Sequence, residues 1–211
     1  REDRFARISR GGSLARVLEG IEAAGAAGFD RIKINTVVVR GFNEDELGDL
    51  TAWALAAGHV LRFIEFMPIG ADTVWDGVSG NGCVPAAEMR ARLSERWELA
   101  PVGMTPGAGP SRYCSLTGPG AGPDARVGFI SAVTECFCDA CNRIRVTPQG
   151  GIRACLADDS EIDLRALLRS DATDTDLLDA VRASLYGKKE THRFDIEGGS
   201  VTRKQMISIG G

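Results

Sequence analysis

The chain has 211 residues, 44% of them hydrophobic, with 25 basic against 29 acidic side chains and a formal charge of −4 at pH 7. That length supports about one to one and a half domains with a real core, and the charge gives no general basic footprint for nucleic acid, although a local basic pocket can still take a phosphorylated small molecule. No apolar run approaches the roughly 18 residues of a membrane span, and Arg1-Glu2-Asp3 opens no signal peptide, so the chain reads as cytoplasmic and without a membrane partner.

The first third alternates helix and strand. Ser13 is placed to cap a helix whose apolar positions Leu14, Val17, Leu18, Ile21 and Ala24 recur every three to four residues, ending near Gly28. "RIKINTVVV" then reads as a strand. A second helix is expected to open at Asn43, with Glu46 completing a capping box, and to stop at Gly58. "VLRFIEFM" is the next strand. Strand, helix, strand with short links predicts parallel pairing through crossover helices.

Beyond Met67 the texture changes. Residues 68–83 read as loop, Pro85–Arg96 as a helix with Pro in its first turn, Tyr113–Thr117 and "RVGFIS" as strands between Gly/Pro-rich connections. "NRIRV" and "GIRAC" face each other across "TPQGG" as a hairpin. Helices at about Leu164–Ser170 and Asp174–Tyr186 precede a polar tail that ends in Gly210-Gly211.

Four of the six cysteines fall within residues 136–155. Without a signal peptide, that density argues metal ligation over a disulfide framework. Cys83 and Cys114, isolated in Gly-rich surroundings, read as bystander thiols. Cys138-x2-Cys141 is followed after thirteen residues by Cys155, and a hairpin between them brings three sulfurs together. A closed zinc site needs four ligands, so zinc requires Cys136, Cys114 or a histidine, and His59 and His192 lie far off in sequence. Three thiolates on an iron–sulfur cube instead leave one iron open to a further ligand. Spacing alone leaves both metals open. Arg143 and Arg145, on one side of a strand beside this motif, add an argument for an anionic ligand held between guanidinium forks.

"FCDACNRIRVTPQGGIRACL" resembles the C-terminal cluster motif of the GTP 3′,8-cyclase family, radical S-adenosylmethionine (SAM) enzymes of molybdenum-cofactor biosynthesis. "RFARI", "IKINTVVVRGFNEDEL", "LRFIEFMPIG", "GFIS" and the terminal Gly-Gly extend the resemblance along essentially the whole chain. It implies an α/β fold: residues 1–67 as the C-terminal strands and helices of an incomplete TIM-like barrel, and residues 68–211 as a following region with a β-hairpin and helices. That region carries an auxiliary 4Fe–4S cluster and the GTP site. By the same resemblance Cys138, Cys141 and Cys155 ligate the cluster, whose open iron takes GTP, and Arg143, Ile144 and Arg145 line the GTP site.

Two strand residues gain roles in the same way. Period-two alternation sets Lys33 and Asn35 opposite Ile32 and Ile34, and a lysine in such a strand ends in water or points into a functional interior. Lys33 matches a lysine assigned to GTP. Met67 matches a residue that contacts SAM; otherwise it is core packing. Arg62 and Glu65 are expected as polar lining of the interior, and Gly210-Gly211 as a slender tail reaching toward Lys33 and Arg143.

The sequence departs from the family's pattern in one respect: no Cys-x3-Cys-x2-Cys occurs in it. The SAM-cleaving cluster and the first barrel strands are therefore expected from a missing N-terminal half, on the same or a separate chain, and this chain alone is expected to be incomplete for catalysis. The activity implied is that of a lyase that uses SAM and a second 4Fe–4S cluster to rearrange GTP into a cyclic precursor for cyclic pyranopterin synthase. A zinc-bound scaffold, and another radical SAM enzyme with an auxiliary cluster, are the rival readings; Cys136 is an extra thiol that either ligand set can include.

Overall fold

The computed structural model describes residues 1–70, 82–102, 109–192, 194, 202, 204 and 206–209. Contacts divide them into two compact units: Arg1–Phe66 with Gly82–Thr134, and the described residues among Met67–Asn81 and Glu135–Gly211.

The first unit opens with helix α1 (Glu2–Ile8) and helix α2 (Leu14–Ala26), the latter capped as its sequence requires, with Arg16 N donating to Ser13 Oγ at 3.4 Å. Strand β1 (Lys33–Val38), helix α3 (Leu47–Ala56) and strand β2 (Val60–Glu65) form the expected crossover, and β1 pairs with β2 in parallel with Lys33 opposite Val60. Helix α4 (Ala86–Ser94) then leads into strands β3 (Glu98–Val102), β4 (Arg112–Thr117) and β5 (Arg126–Ile130). The five strands lie in the order β1-β2-β5-β4-β3, with β5 parallel to β2 and β3 and β4 antiparallel. The sheet is thus mixed, and it continues well past the division at residue 67 drawn from the sequence.

One sheet face carries Val38, Leu61, Phe63, Val127 and Phe129, all at most 1% exposed, in a core shared with Leu47, Ala54, Met89, Leu93 and Trp97. Two local expectations are corrected. Helix α3 starts at Leu47, four residues after Asn43, because the Asn43 side chain is spent on the backbone behind it: it accepts from Val39 N (2.7 Å) and donates to Val37 O (2.9 Å). Glu65 does not line an open interior. It is fully buried and accepts from Ala86 N (2.8 Å), Val133 N (2.7 Å), Thr134 N (2.8 Å) and the Thr134 hydroxyl, tying the start of α4 to the chain after β5.

The second unit holds a three-stranded antiparallel sheet of β6 (Arg145–Val146), β7 (Gly151–Arg153) and β8 (Ile162–Asp163), with helices α5 (Leu164–Leu168) and α6 (Asp174–Tyr186). The hairpin turn is built from Thr147, whose backbone N–H donates to Gly151 O and whose hydroxyl accepts from Gly151 N, with Gly150 at φ 86°, where a side chain is disfavoured. Helix α6 begins with a capping box between Thr173 and Asp176. Ile69, Leu156 and Ile209 form a small core, and Met67, Phe194 and Met206 pack against it. No helix among the described residues is long and apolar enough to cross a membrane.

Candidate metal centre

All six cysteines are free thiols. Cys83 and Cys114 are buried in the first unit, where burial, followed by the charge of Glu65, pushes the Cys83 thiol up to about 12 and burial raises Cys114. The other four are half-buried. Cys138 opens a 3₁₀ turn, Cys138–Ala140, and Cys141 N donates back to Cys138 O at 3.2 Å, so the two thiols of the Cys-x2-Cys are held by one tight turn. Cys155 follows β7, and the β6–β7 pairing, Arg145 opposite Arg153, returns it to the same neighbourhood: its charge acts on both Cys138 and Arg145.

Cys141 is the most heavily supported of these thiols. Lys188 Nζ donates to its sulfur at 3.2 Å, to its carbonyl at 2.9 Å and to Arg143 O at 3.0 Å. Arg143 Nη2 donates to the same sulfur at 3.3 Å while its guanidinium stacks 4.5 Å above the Phe137 ring. Burial pushes the Cys141 thiol up, but the Arg143 backbone N–H, the Lys188 ammonium and the Arg143 guanidinium outweigh it and bring the thiol down to about 7. Burial raises Cys138, against a hydrogen bond from the His192 backbone and with Cys136 and Cys155 adding to the rise.

Arg145 is half-buried, and burial lowers its guanidinium from the usual value, with Arg143 and Arg153 adding to the drop and the Cys155 and Cys141 charges opposing it. Arg153, across the strand pair, is fully buried: Nη2 reaches Asp158 O and Asp159 Oδ1 (3.4 Å), while Nε and Nη1 have no hydrogen-bond partner. Ile144, between the other two arginines, is 39% exposed. Arg143, bonded to Cys141, and Arg145, which feels the Cys155 and Cys141 charges, offset thiolate charge, and this donor set fits an iron–sulfur cluster.

The remaining candidates belong to other elements of the fold. Lys33 is exposed on β1, in a row with Asn35 and Val37. Asn35 Oδ1 accepts from Arg62 Nε at 2.7 Å, and register carries that row across the sheet to Gly128 and Tyr113. A Cβ on Gly128 would stand 2.3 Å from Ser111 Oγ, so only glycine fits there; Ser111 Oγ and Tyr113 Oη are buried without partners. Met67 packs on the Ile69, Leu156 and Ile209 core. The expected Gly210-Gly211 tail lies outside the described residues.

Lys188 carries no motif that marks it in the sequence, Arg153 sits inside the cysteine motif without a role assigned to it, and the distance of His192 along the chain speaks against it as a ligand. It lies beside the cysteines: Cys136, Cys138 and His192 bring their ligand atoms within 4.8 Å of one another.

The profile of the Molybdenum Cofactor Synthesis C family matches residues 59–194. The chain belongs to that family. Among curated relatives of this Molybdenum Cofactor Synthesis C chain, the GTP 3′,8-cyclase of Paracoccus denitrificans is 44% identical over the whole chain and 60% of its own length. That of Pelotomaculum thermopropionicum is 41% identical over the whole chain and 62% of its length, and that of Streptomyces coelicolor 39% over the whole chain and 60%. The chain therefore spans about 60% of the length of these relatives.

Proposed function

We propose that this chain supplies the GTP-binding, auxiliary-cluster portion of a GTP 3′,8-cyclase, a lyase of molybdenum-cofactor biosynthesis. The relatives bear that name, and the observation that carries the reading is Cys141, whose sulfur accepts from Lys188 and Arg143 and which shares one tight turn with Cys138. Cys138, Cys141 and Cys155 are the ligands of a 4Fe–4S cluster. When bound, that cluster offers an open iron to a ligand, and SAM with a second cluster supplies the radical that starts the rearrangement of GTP.

The chain's own residues bind and orient. Arg143, fixed by its stacking on Phe137, and Arg145 present guanidinium forks to anionic or carbonyl groups of GTP, with Ile144 between them. Lys33 and Arg62, on one face of the sheet, take phosphate oxygens. Met67, two residues after β2, contacts SAM, and β1, α3 and β2 are a crossover of a partial barrel. The SAM-cleaving cluster comes from a segment with the motif this sequence lacks, and the product passes to cyclic pyranopterin synthase in the cytoplasm.

The test is anaerobic reconstitution of the chain with iron and sulfide, followed by counts of both and electron paramagnetic resonance of the reduced cluster with GTP or ATP. A cluster whose signal changes with GTP, and not in Arg143→Ala or Arg145→Ala variants of equal iron content, supports the reading. Zinc in place of iron, or a signal blind to GTP, overturns it.

A further inference from the structure

Cys138 stands in two groups of metal-binding side chains. One is the trio Cys138, Cys141 and Cys155, whose members belong to a turn and a strand end. The other is Cys136, Cys138 and His192, with ligand atoms mutually within 4.8 Å and all three side chains half-buried. The two groups are spaced for different metals. A tetrahedral zinc-like ion, with bonds of about 2.3 Å to sulfur and 2.0–2.1 Å to nitrogen, sets its ligand atoms roughly 3.5–4 Å apart. Cube thiolates each bind a separate iron and stand wider. The Cys136, Cys138 and His192 group needs only a slight contraction to close on one ion.

The third member is held in place independently of any metal. The His192 backbone N–H hydrogen-bonds the Cys138 sulfur and the His192 and Phe194 rings lie with centroids 4.8 Å apart; the bond from Phe194 N to His192 Nδ1 at 3.1 Å uses the one lone pair of the neutral metal-free ring and is given up when the imidazole ligates the ion. Cys136 is itself hydrogen-bonded to Cys138. Cys141 is turned to other work by Lys188 and Arg143 and is not among this group.

We propose that the cluster-free chain binds a single thiophilic divalent cation, zinc-like in its chemistry, between Cys136, Cys138 and His192, and that Cys138 is shared between this mononuclear site and the cluster. Two thiolates, one imidazole and a water complete a four-coordinate shell. Because one sulfur serves both, the two metals exclude each other, and cluster assembly displaces the ion. Only this last step rests on the cluster proposed above.

Cobalt(II), added to the full chain stripped of iron under reducing conditions, reports the site through its thiolate charge-transfer and tetrahedral d–d bands. Wild type should bind one equivalent. Cys136→Ser and His192→Ala should each weaken binding by about tenfold or more, while Cys141→Ser and Cys155→Ser leave it unchanged. His192→Cys, which restores a ligand, should recover binding and guards against a misfolded alanine variant; circular dichroism checks all of them. Wild-type affinity in both Cys136→Ser and His192→Ala, or equal losses in Cys141→Ser, overturns the site. In a second arm, zinc preloading should slow iron–sulfide uptake by wild type and not by Cys136→Ser; uptake indifferent to zinc overturns the sharing of Cys138. No cluster uptake under any condition defeats the proposed function instead, and the cobalt result stands separately.

Discussion

Replacing Lys188 by methionine tests whether its ammonium supports the metal motif. Methionine keeps most of the apolar stem and removes the charge. The ammonium's three donors go to Cys141 Sγ, Cys141 O and Arg143 O, at 3.2, 2.9 and 3.0 Å. The two carbonyls are half-buried and can recover water, so their loss costs folding only about 1–2 kcal/mol in all. The sulfur bond matters more to the metal, since removing a group that orients a ligand typically lowers metal affinity about 10–100-fold, or roughly 1.4–2.7 kcal/mol. Lys188→Arg should restore part of this, because a guanidinium supplies the charge but its planar fork cannot turn one nitrogen toward three acceptors. The assay is retention of iron by the anaerobically reconstituted chain against a chelator, with circular dichroism as control for folding. Lys188→Met that folds and holds iron as wild type does would refute the argument that this lysine supports the cluster.

Other consequences are direct. Cys138→Ala, Cys141→Ala and Cys155→Ala should each abolish cluster incorporation while Cys136→Ala leaves iron content nearly unchanged; equal iron loss in Cys136→Ala would defeat the three-ligand assignment. Glu65→Gln should lower unfolding free energy by about 2–4 kcal/mol in urea titrations, since the amide faces Ala86 N and Thr134 Oγ1 at the cheaper end, where the hydroxyl can turn acceptor but one N–H stays unpaired; a loss below about 0.5 kcal/mol would show the carboxylate is not needed. Glu88 is held below its usual value, first by the hydrogen bond from Arg40, against burial, and then by Arg92. Its folded form binds fewer protons than its unfolded form, so its contribution is present above the ordinary carboxylate range and lost as pH falls through the folded value. Melting temperatures followed downward from pH 6 should drop more steeply in wild type than in Glu88→Gln, and parallel curves would count against the network. In iron-free protein at pH 8, iodoacetamide should modify Cys141 well before Cys83, given thiols brought to about 7 and about 12; mass mapping that finds Cys83 first reverses the assignment of environments.

How much of this was readable beforehand depends on how local the cause is. β1, β2 and β5 were legible because alternation and β-branched runs are written within each segment, and α2 because Ser13 is a cap three residues from the N–H it satisfies. β3 was not, since Glu98–Val102 is mostly exposed and carries Pro101, and it becomes a strand only by pairing with β4. Asn43 misled because its side chain has two uses, capping forward or bonding backward, and only the fold decides. Glu65 looked like a lining residue because strand parity cannot say which face is core. Among the cysteines, spacing argued for a metal, but ligand choice turns on distances no spacing encodes.

Those distances are set by a short segment with no periodicity at all. After α6 ends at Tyr186, the chain from Lys188 to Phe194 meets the metal motif repeatedly: Lys188 at Cys141 and Arg143, Lys189 Nζ at Asp158 Oδ2 (2.5 Å), His192 at Cys138, and Phe194 on the Ile69, Leu156 and Ile209 core. Asp158 in turn lies three residues past Cys155 and holds the buried Arg153 through its carbonyl. Each contact is long-range in sequence, and each uses a residue type common on any polar surface. The cysteine turn by itself leaves its thiols free to rotate. Pinned by this segment, Cys141 faces two cations and Cys138 faces an imidazole; under the cluster and ion sites proposed above, the polar stretch after α6 would decide between a cube and a single ion, and Lys188→Met and His192→Ala should act in opposite directions on the two metals.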